Sequence, residues 1–169
     1  RDDHPVVHVA HEDALAYAAW CGKELPTEAE WEFAARGGLE GKAYPWGDAA
    51  NPEGRFLANT WQGHFPHENL NEDGYEGTSP VDAFPANGYG LFDMVGNVWE
   101  WTSSPYDAAA DQPPQSCCHP NAGDDRSMRR VVKGGSHLCA PNYCLRYRPS
   151  ARQGETVDSS TCHIGFRCV

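Results

Sequence analysis

Apolar positions along this chain fall in short clusters separated by polar and turn-forming residues, and only a few stretches carry a readable period. Pro5-Val6-Val7-His8-Val9 reads as a short strand. From Glu12 to Cys21, apolar or small residues recur at Ala14, Tyr17, Ala18 and Cys21, and Gly22 follows. That spacing predicts a helix with one buried face that stops at the glycine. Pro26-Thr27-Glu28-Ala29-Glu30 predicts a second helix running to Gly37-Gly38: Thr27 caps the next turn, and Glu30 reaches back to the amide of Thr27. The closely spaced glutamates also have the look of paired catalytic acids, but capping accounts for them.

From Gly41 to Gly90 the period disappears. Trp46, Trp61, Phe65, Tyr75, Phe84 and Tyr89 lie among Gly, Pro, Asn and Asp, so large rings must fill a core between irregular segments. Loops of that kind need an internal fastener, and calcium suits them because a hard cation binds carboxylates and free carbonyls together. Asn59-Thr60 and Asn71-Glu72-Asp73-Gly74-Tyr75 are the candidate ligands, with a plain turn as the alternative. Val95 to Trp101 reads as a turn into a strand that places Trp99 and Trp101 on one face. Both rings read as core, although Trp99 is also placed to border a groove.

Composition narrows the class. The 169 residues bury one sizeable core, and no apolar run is long enough to span a membrane. Seventeen glycines and thirteen prolines favour a loop-rich α+β fold over a helical bundle. The net charge of -11 disfavours nucleic acid as a partner and is compatible with a basic peptide. Seven cysteines, an odd number without regular spacing, argue against a disulfide scaffold. Between Pro105 and Arg130 lies a long irregular insert whose Cys117-Cys118 pair reads as ordinary thiols. His4, His8 and His11 read as structural or surface residues before they read as ligands.

The chemistry concentrates in Val131-Val132-Lys133-Gly134-Gly135-Ser136-His137-Leu138-Cys139-Ala140-Pro141-Asn142-Tyr143-Cys144-Leu145-Arg146-Tyr147-Arg148. Cys139 and Cys144 stand five positions apart, and Lys133, Arg146 and Arg148 lie nearby in sequence. Neighbouring positive charge favours the thiolate, which is the nucleophilic and metal-binding form. Spacing alone leaves three readings open: inert or disulfide-bonded cysteines, a soft-metal or redox site, and coincidence.

With its neighbours this stretch resembles the formylglycine-generating enzymes, the sulfatase-modifying factors. The resemblance rests on Gly134-Gly135-Ser136, Cys139 and Cys144, Arg146-Tyr147-Arg148, and Gly165-Phe166-Arg167-Cys168. It extends through Leu25 to Glu32, Tyr44-Pro45-Trp46-Gly47, Asn87 to Leu91 and Val95 to Trp101, over essentially the whole chain. It implies a single domain over residues 1–169 with a C-type-lectin-like fold: a small twisted antiparallel sheet, two helices and long loops. Family members carry a substantial segment before the point matching Arg1, so the family's N-terminal segment is expected to be missing.

The resemblance further implies an oxygen-dependent oxidase. Its substrate is a cysteine within a Cys-x-Pro-x-Arg motif of an unfolded sulfatase, its product is Cα-formylglycine, and O2 and a thiol reductant are consumed. Cys139 and Cys144 would bind Cu(I), and Ser136 would either hydrogen-bond near oxygen or satisfy the turn after Gly135. One calcium site would use the Asn59 and Asp73 side chains with the carbonyls of Thr60 and Tyr75. A second would use Asp93 and Glu100 with the carbonyls of Gly96 and Val98. Where secreted relatives have extra cysteines this chain has Ala18, Ala35 and Pro149, which points to a cytoplasmic, bacterial-type setting, with Cys21 as a substitute partner for Cys168. The rival expectations are a lectin-like binding module without oxidase activity and an inactive paralogue or fragment.

Overall fold

The computed structural model describes residues 1–107 and 129–169, so the Cys117-Cys118 pair lies outside the described residues. Helix α1 spans His11–Trp20. It begins one residue earlier than its apolar pattern suggests, because the Asp13 carboxylate accepts the Ala10 amide N–H at 2.9 Å. Helix α2 spans Glu28–Arg36 and has the expected ends. Thr27 Oγ1 accepts from the Glu30 amide at 3.2 Å, Glu30 Oε2 accepts from the Thr27 amide at 2.8 Å, and Gly37 closes the helix in a left-handed conformation. Glu30 is thus the capping residue, whereas the Glu28 carboxylate is turned to Lys133 and Arg152.

Four strands follow: β1 (Trp99–Pro105), β2 (Arg129–Lys133), β3 (Arg152–Thr156) and β4 (Ile164–Phe166). They form one sheet in the order β3-β2-β1-β4. The sheet is mixed, which corrects the all-antiparallel expectation. β1 pairs antiparallel with β2, with Glu100 opposite Lys133, whereas β4 runs parallel to β1, with Trp99 opposite Ile164. The extended segment at Pro5 to Val9 is no strand either. His8 adopts a φ of 58°, which breaks the extended run, and the segment is anchored singly by His8 N–H to Thr161 O at 3.0 Å and Trp101 Nε1–H to Val9 O at 3.1 Å.

β1 is covered on both faces. Trp99 and Trp101 sit in the core with Ile164, while Val98 and Glu100 on the opposite face are buried too, with Trp31 of α2 against Glu100. Helix α2 packs on β1 and β2. It is fastened there by Lys133, whose fully buried ammonium lies 3.2 Å from Glu32 Oε2 and 3.5 Å from Glu28 Oε1. This leaves the far end of β2 rigidly held where the cysteine loop departs. Among the described residues no helix is long and apolar enough to cross a membrane.

Candidate active site at the paired thiols

The turn that leaves β2 is possible only because of its glycines. Gly134 and Gly135 have φ of 93° and 72°, and a Cβ on Gly135 would lie 2.9 Å from the Tyr147 backbone nitrogen. The chain then dives inward. Ser136 and His137 are buried, and Cys139 is 2% exposed. Tight bonds from the Tyr143 and Cys144 amides to the Ala140 carbonyl, at 3.1 and 2.8 Å, fold the loop back. The Sγ atoms of Cys139 and Cys144 end 3.2 Å apart as free thiols.

That separation makes the pair share a proton unequally. The hydrogen bond from the Cys139 thiol, and then the Arg146 guanidinium and amide, pull the Cys144 pKa down to about 6 against its burial. The same hydrogen bond, reinforced by burial, pushes Cys139 up, and the Ser136 hydroxyl and backbone offset only part of this. At neutral pH the pair is one thiol and one thiolate, with the charge on half-buried Cys144. Of the three cations near the pair in sequence, only Arg146 acts on Cys144. Lys133 is committed to Glu28 and Glu32, and Arg148 Nε donates to the Leu145 carbonyl at 3.1 Å.

Ser136 Oγ accepts the Leu138 amide at 3.2 Å, so it serves the turn as well as the thiol. Trp99 does not border a groove. It is 3% exposed within the core cluster that also holds Cys139, on the same face of β1 as Trp101. Tyr147 is buried in that cluster as well, and burial followed by the nearby Tyr44 hydroxyl and the two sulfurs pushes its pKa up to about 12.

Two loops rich in oxygen atoms hold the cysteine loop from behind. In the first, Asp73 Oδ2 accepts from the Thr60 amide at 3.0 Å and from Gln62 Nε2 at 2.8 Å, while Oδ1 accepts from the Tyr75 amide at 3.0 Å. Asn59 is fully buried; its Nδ2 donates to the Gly77 carbonyl at 2.8 Å, and its Oδ1 has no hydrogen-bond partner. Sequence reasoning missed Gln62, whose Nε2 also donates to the Thr60 carbonyl; nothing in its local pattern sets it apart.

In the second loop Asp93 Oδ1 is likewise buried without a partner, while Oδ2 accepts from Asn97 Nδ2 at 2.9 Å. Burial pushes the Asp93 pKa up to about 6, with nearby Glu100 adding to the shift. Glu100 itself is satisfied by protein donors: Arg167 Nε and Nη2 at 2.6 and 2.7 Å, and Trp31 Nε1 at 2.6 Å. Arg167, which the sequence shows only as part of the Gly165 to Cys168 block, also donates to the Phe92 carbonyl at 3.0 Å.

The whole chain, residues 1–169, matches the sulfatase-modifying factor enzyme 1-like domain. The chain belongs to that family. It is 55% identical to a formylglycine-generating enzyme of Mycobacterium tuberculosis over all of this chain and 58% of that protein. It is 52% identical to the mouse formylglycine-generating enzyme, again over its full length and 45% of the relative. A cattle protein named inactive C-alpha-formylglycine-generating enzyme 2 is 49% identical over 98% of this chain and 50% of its own. Among solved structures, PvdO from Pseudomonas aeruginosa superposes with a TM-score of 0.68 at 28% identity, over 97% of this chain and 60% of that one. The chain thus spans about half the length of the curated relatives it matches.

The fold of this sulfatase-modifying-factor domain is the loop-rich, C-type-lectin-like α+β fold. Within it, the thiol pair and the two oxygen-rich loops are tied by backbone bonds. Gly96 N–H donates to Gly134 O, His137 N–H to Asn97 O, and Asn97 N–H to Asn59 O, each at 2.9 Å. Among the described residues no three or more His, Cys, Asp or Glu side chains gather as a metal-binding group. The histidines near the N-terminus follow suit: His11 is buried with Nε2 3.0 Å from the Thr102 carbonyl, and His4 Nδ1 lies 2.9 Å from Thr78 Oγ1.

Proposed function

We propose that this chain carries the thiol-pair site of a formylglycine-generating enzyme, which oxidises a cysteine in a Cys-x-Pro-x-Arg segment of an unfolded sulfatase to Cα-formylglycine. The observation that carries this reading is the Cys139–Cys144 pair: two unbonded sulfurs 3.2 Å apart, one buried and one half-buried. The substrate carbon loses two electrons, O2 takes up four, and a thiol reductant supplies the other two; sulfur leaves as hydrogen sulfide.

The residues fit Cu(I). Two soft sulfur ligands suit that ion, with no third His, Cys, Asp or Glu grouped with them among the described residues, and a two-ligand set leaves a position for the substrate thiol. Copper held by Cys139 and Cys144 would supply the one-electron chemistry with O2 that thiols lack. The chain's own residues do the rest. The hydrogen bond from Cys139, and after it Arg146, favour the anionic, metal-binding form of Cys144. Ser136 fixes the start of the loop and polarises Cys139, and burial shields Cys139 from bulk solvent.

Structural calcium belongs to the same reading. The partnerless oxygens Asn59 Oδ1 and Asp93 Oδ1 support a cation at each loop, alongside Asp73 with the Thr60 and Tyr75 carbonyls, and Glu100 with the Gly96 and Val98 carbonyls. Glu100 would keep Arg167 as a partner on one side.

The test is a mass spectrum of a synthetic Cys-Thr-Pro-Ser-Arg peptide after incubation with the full-length protein containing this chain, Cu(I), a thiol reductant and O2. Conversion of the cysteine to an aldehyde, lost in both Cys139→Ala and Cys144→Ala, supports the oxidase. No conversion by a folded sample would instead favour a lectin-like binding module or an inactive form like the one named in cattle.

A further inference from the structure

One cation beside the thiol pair keeps its charge uncommitted. Several lysines and arginines are spent on carboxylates: Lys133 on Glu28 and Glu32, Arg36 on Glu32, Arg152 on Glu28, Lys42 on Asp48 and Arg167 on Glu100. Arg146, two residues after Cys144, is exposed and pairs with no carboxylate among the described residues. A tight turn sets its place, since its amide donates to the Cys144 carbonyl at 2.8 Å. Its Nη1 donates to Gln153 Oε1. Gln153 Nε2 in turn donates to Glu155 Oε1, and Glu155 Oε2 accepts from Ser159 Oγ at 3.3 Å. Gln153 and Glu155 lie on one face of β3, opposite Val132 and Arg130 of the strand that launches the cysteine loop. The guanidinium is therefore tied to the sheet by its tip as well as to Cys144 by its backbone.

A carboxylate at position 153 would hold the guanidinium and also neutralise it. A carboxamide oxygen holds it and leaves the positive charge in place. Glu155 fixes the amide by accepting from its nitrogen, which leaves the oxygen for Arg146. The result is an oriented guanidinium with unused N–H groups at the mouth of the pair, a donor set suited to a carboxylate. The Cys-x-Pro-x-Arg segment read as substrate has no fixed acidic residue and one cation, which Arg146 would repel. The other thiol in that reading is the small reductant. We propose that Arg146, positioned by Gln153 and Glu155, is the docking point for the carboxylate of a small carboxylate-bearing thiol that reduces this site. The inference rests on the proposed function for the need of a reductant. Gln153 and Glu155 act only through Arg146.

Docking is read without copper or peptide. In the full-length protein with every cysteine but Cys139 and Cys144 replaced by Ser, diamide oxidises the pair to a disulfide and is itself reduced to the hydrazine. Two molecules of added thiol then restore the two protein thiols and leave as their own disulfide. The rates are compared for 3-mercaptopropionate, which carries a carboxylate, and 2-mercaptoethanol, which is neutral. Their ratio cancels any change in the reactivity of the protein disulfide itself. Arg146→Gln should lower the anionic-over-neutral ratio about threefold, the size of an exposed ion pair, and high salt should do the same to the parent. Gln153→Leu, which leaves the net charge unchanged, should lower it too. Glu155→Ala is decisive because loss of a negative charge alone would raise the ratio, whereas loss of positioning lowers it. An unchanged ratio in Arg146→Gln, or a rise in Glu155→Ala, would overturn the proposal. Failure of the peptide conversion with these ratios as expected would count against the oxidase reading and leave the docking point standing.

Discussion

The backbone amide of Trp61 donates to the carbonyl of Cys139 at 3.1 Å, so the loop carrying Asn59, Thr60 and Asp73 is bonded directly to the buried member of the thiol pair. Order in that loop is therefore order at the sulfur. Asp73 is its clasp, since one carboxylate collects the Thr60 and Tyr75 amides and the Gln62 carboxamide.

Replacing Asp73 by Ala removes three hydrogen bonds to a charged acceptor and strands the Thr60 amide in a buried setting. The expected loss of stability is about 2–4 kcal/mol, read from urea unfolding. Added calcium should raise the melting temperature of the parent protein and leave that of the variant unchanged. Equal calcium responses in the two proteins would remove Asp73 from the ligand set.

Cys144 owes its low pKa first to the Cys139 thiol and then to Arg146. In metal-free protein, alkylation of Cys144 by iodoacetamide should rise through a midpoint near pH 6 and level off above pH 7. In Cys139→Ala the donor is gone while the burial penalty remains, so the midpoint moves up and the rate at pH 7 falls about tenfold. Arg146→Ala should shift it the same way by less. Site-resolved mass spectrometry of the alkylated peptides reads both.

Some of this architecture was legible in the sequence and some was not, for identifiable reasons. Capping chemistry is local, so Thr27, Glu30 and Gly37 specify α2 without reference to the rest of the chain. The Cys139–Cys144 spacing alone left three readings open, whereas the inward turn that brings the two sulfurs together follows from Gly134 and Gly135. By contrast, the parallel pairing of β4 with β1 joins Ile164 to Trp99 across 65 residues, and no local period encodes a partner that distant. Alternation along β1 placed Trp99 in the core with Trp101, and did not show that the opposite face, at Glu100, is covered as well, by helix α2 and Arg167. Gln62 went unremarked, and Arg167 stood only as part of a family block, because the importance of each lies in what it reaches: Asp73 and Glu100.

Gly135 is a sharper test of the turn than any cysteine substitution. Its φ of 72° disfavours an L side chain, and an added Cβ would lie 2.9–3.0 Å from backbone atoms of Tyr147, which cannot rotate away. Gly135→Ala should destabilise the protein by about 2–3 kcal/mol and widen the gap between the thiols. Unfolding midpoints read the first effect. Slower formation of a Cys139–Cys144 disulfide with oxidised glutathione, compared with the parent, reads the second.

Asp93 gives a prediction with an unusual sign. Most carboxylates in folded proteins have lowered pKa values and stabilise as pH rises, but burial raises Asp93 to about 6, so between its unfolded value near 4 and pH 6 the native state holds more protons than the unfolded one. Its contribution therefore favours the fold at low pH and is lost as pH rises through about 6. Above that, the ionised and partly unsatisfied carboxylate costs on the order of 2–3 kcal/mol in metal-free protein. Asp93→Asn should remove this cost and raise the melting temperature in a chelator at pH 7.5, with little effect at pH 4.5. In the parent, calcium should recover the same stability by supplying the missing partner for Oδ1, and the variant should respond far less. A parent protein whose stability near pH 7 ignores calcium would leave the second loop as a self-contained Arg167–Glu100 clasp.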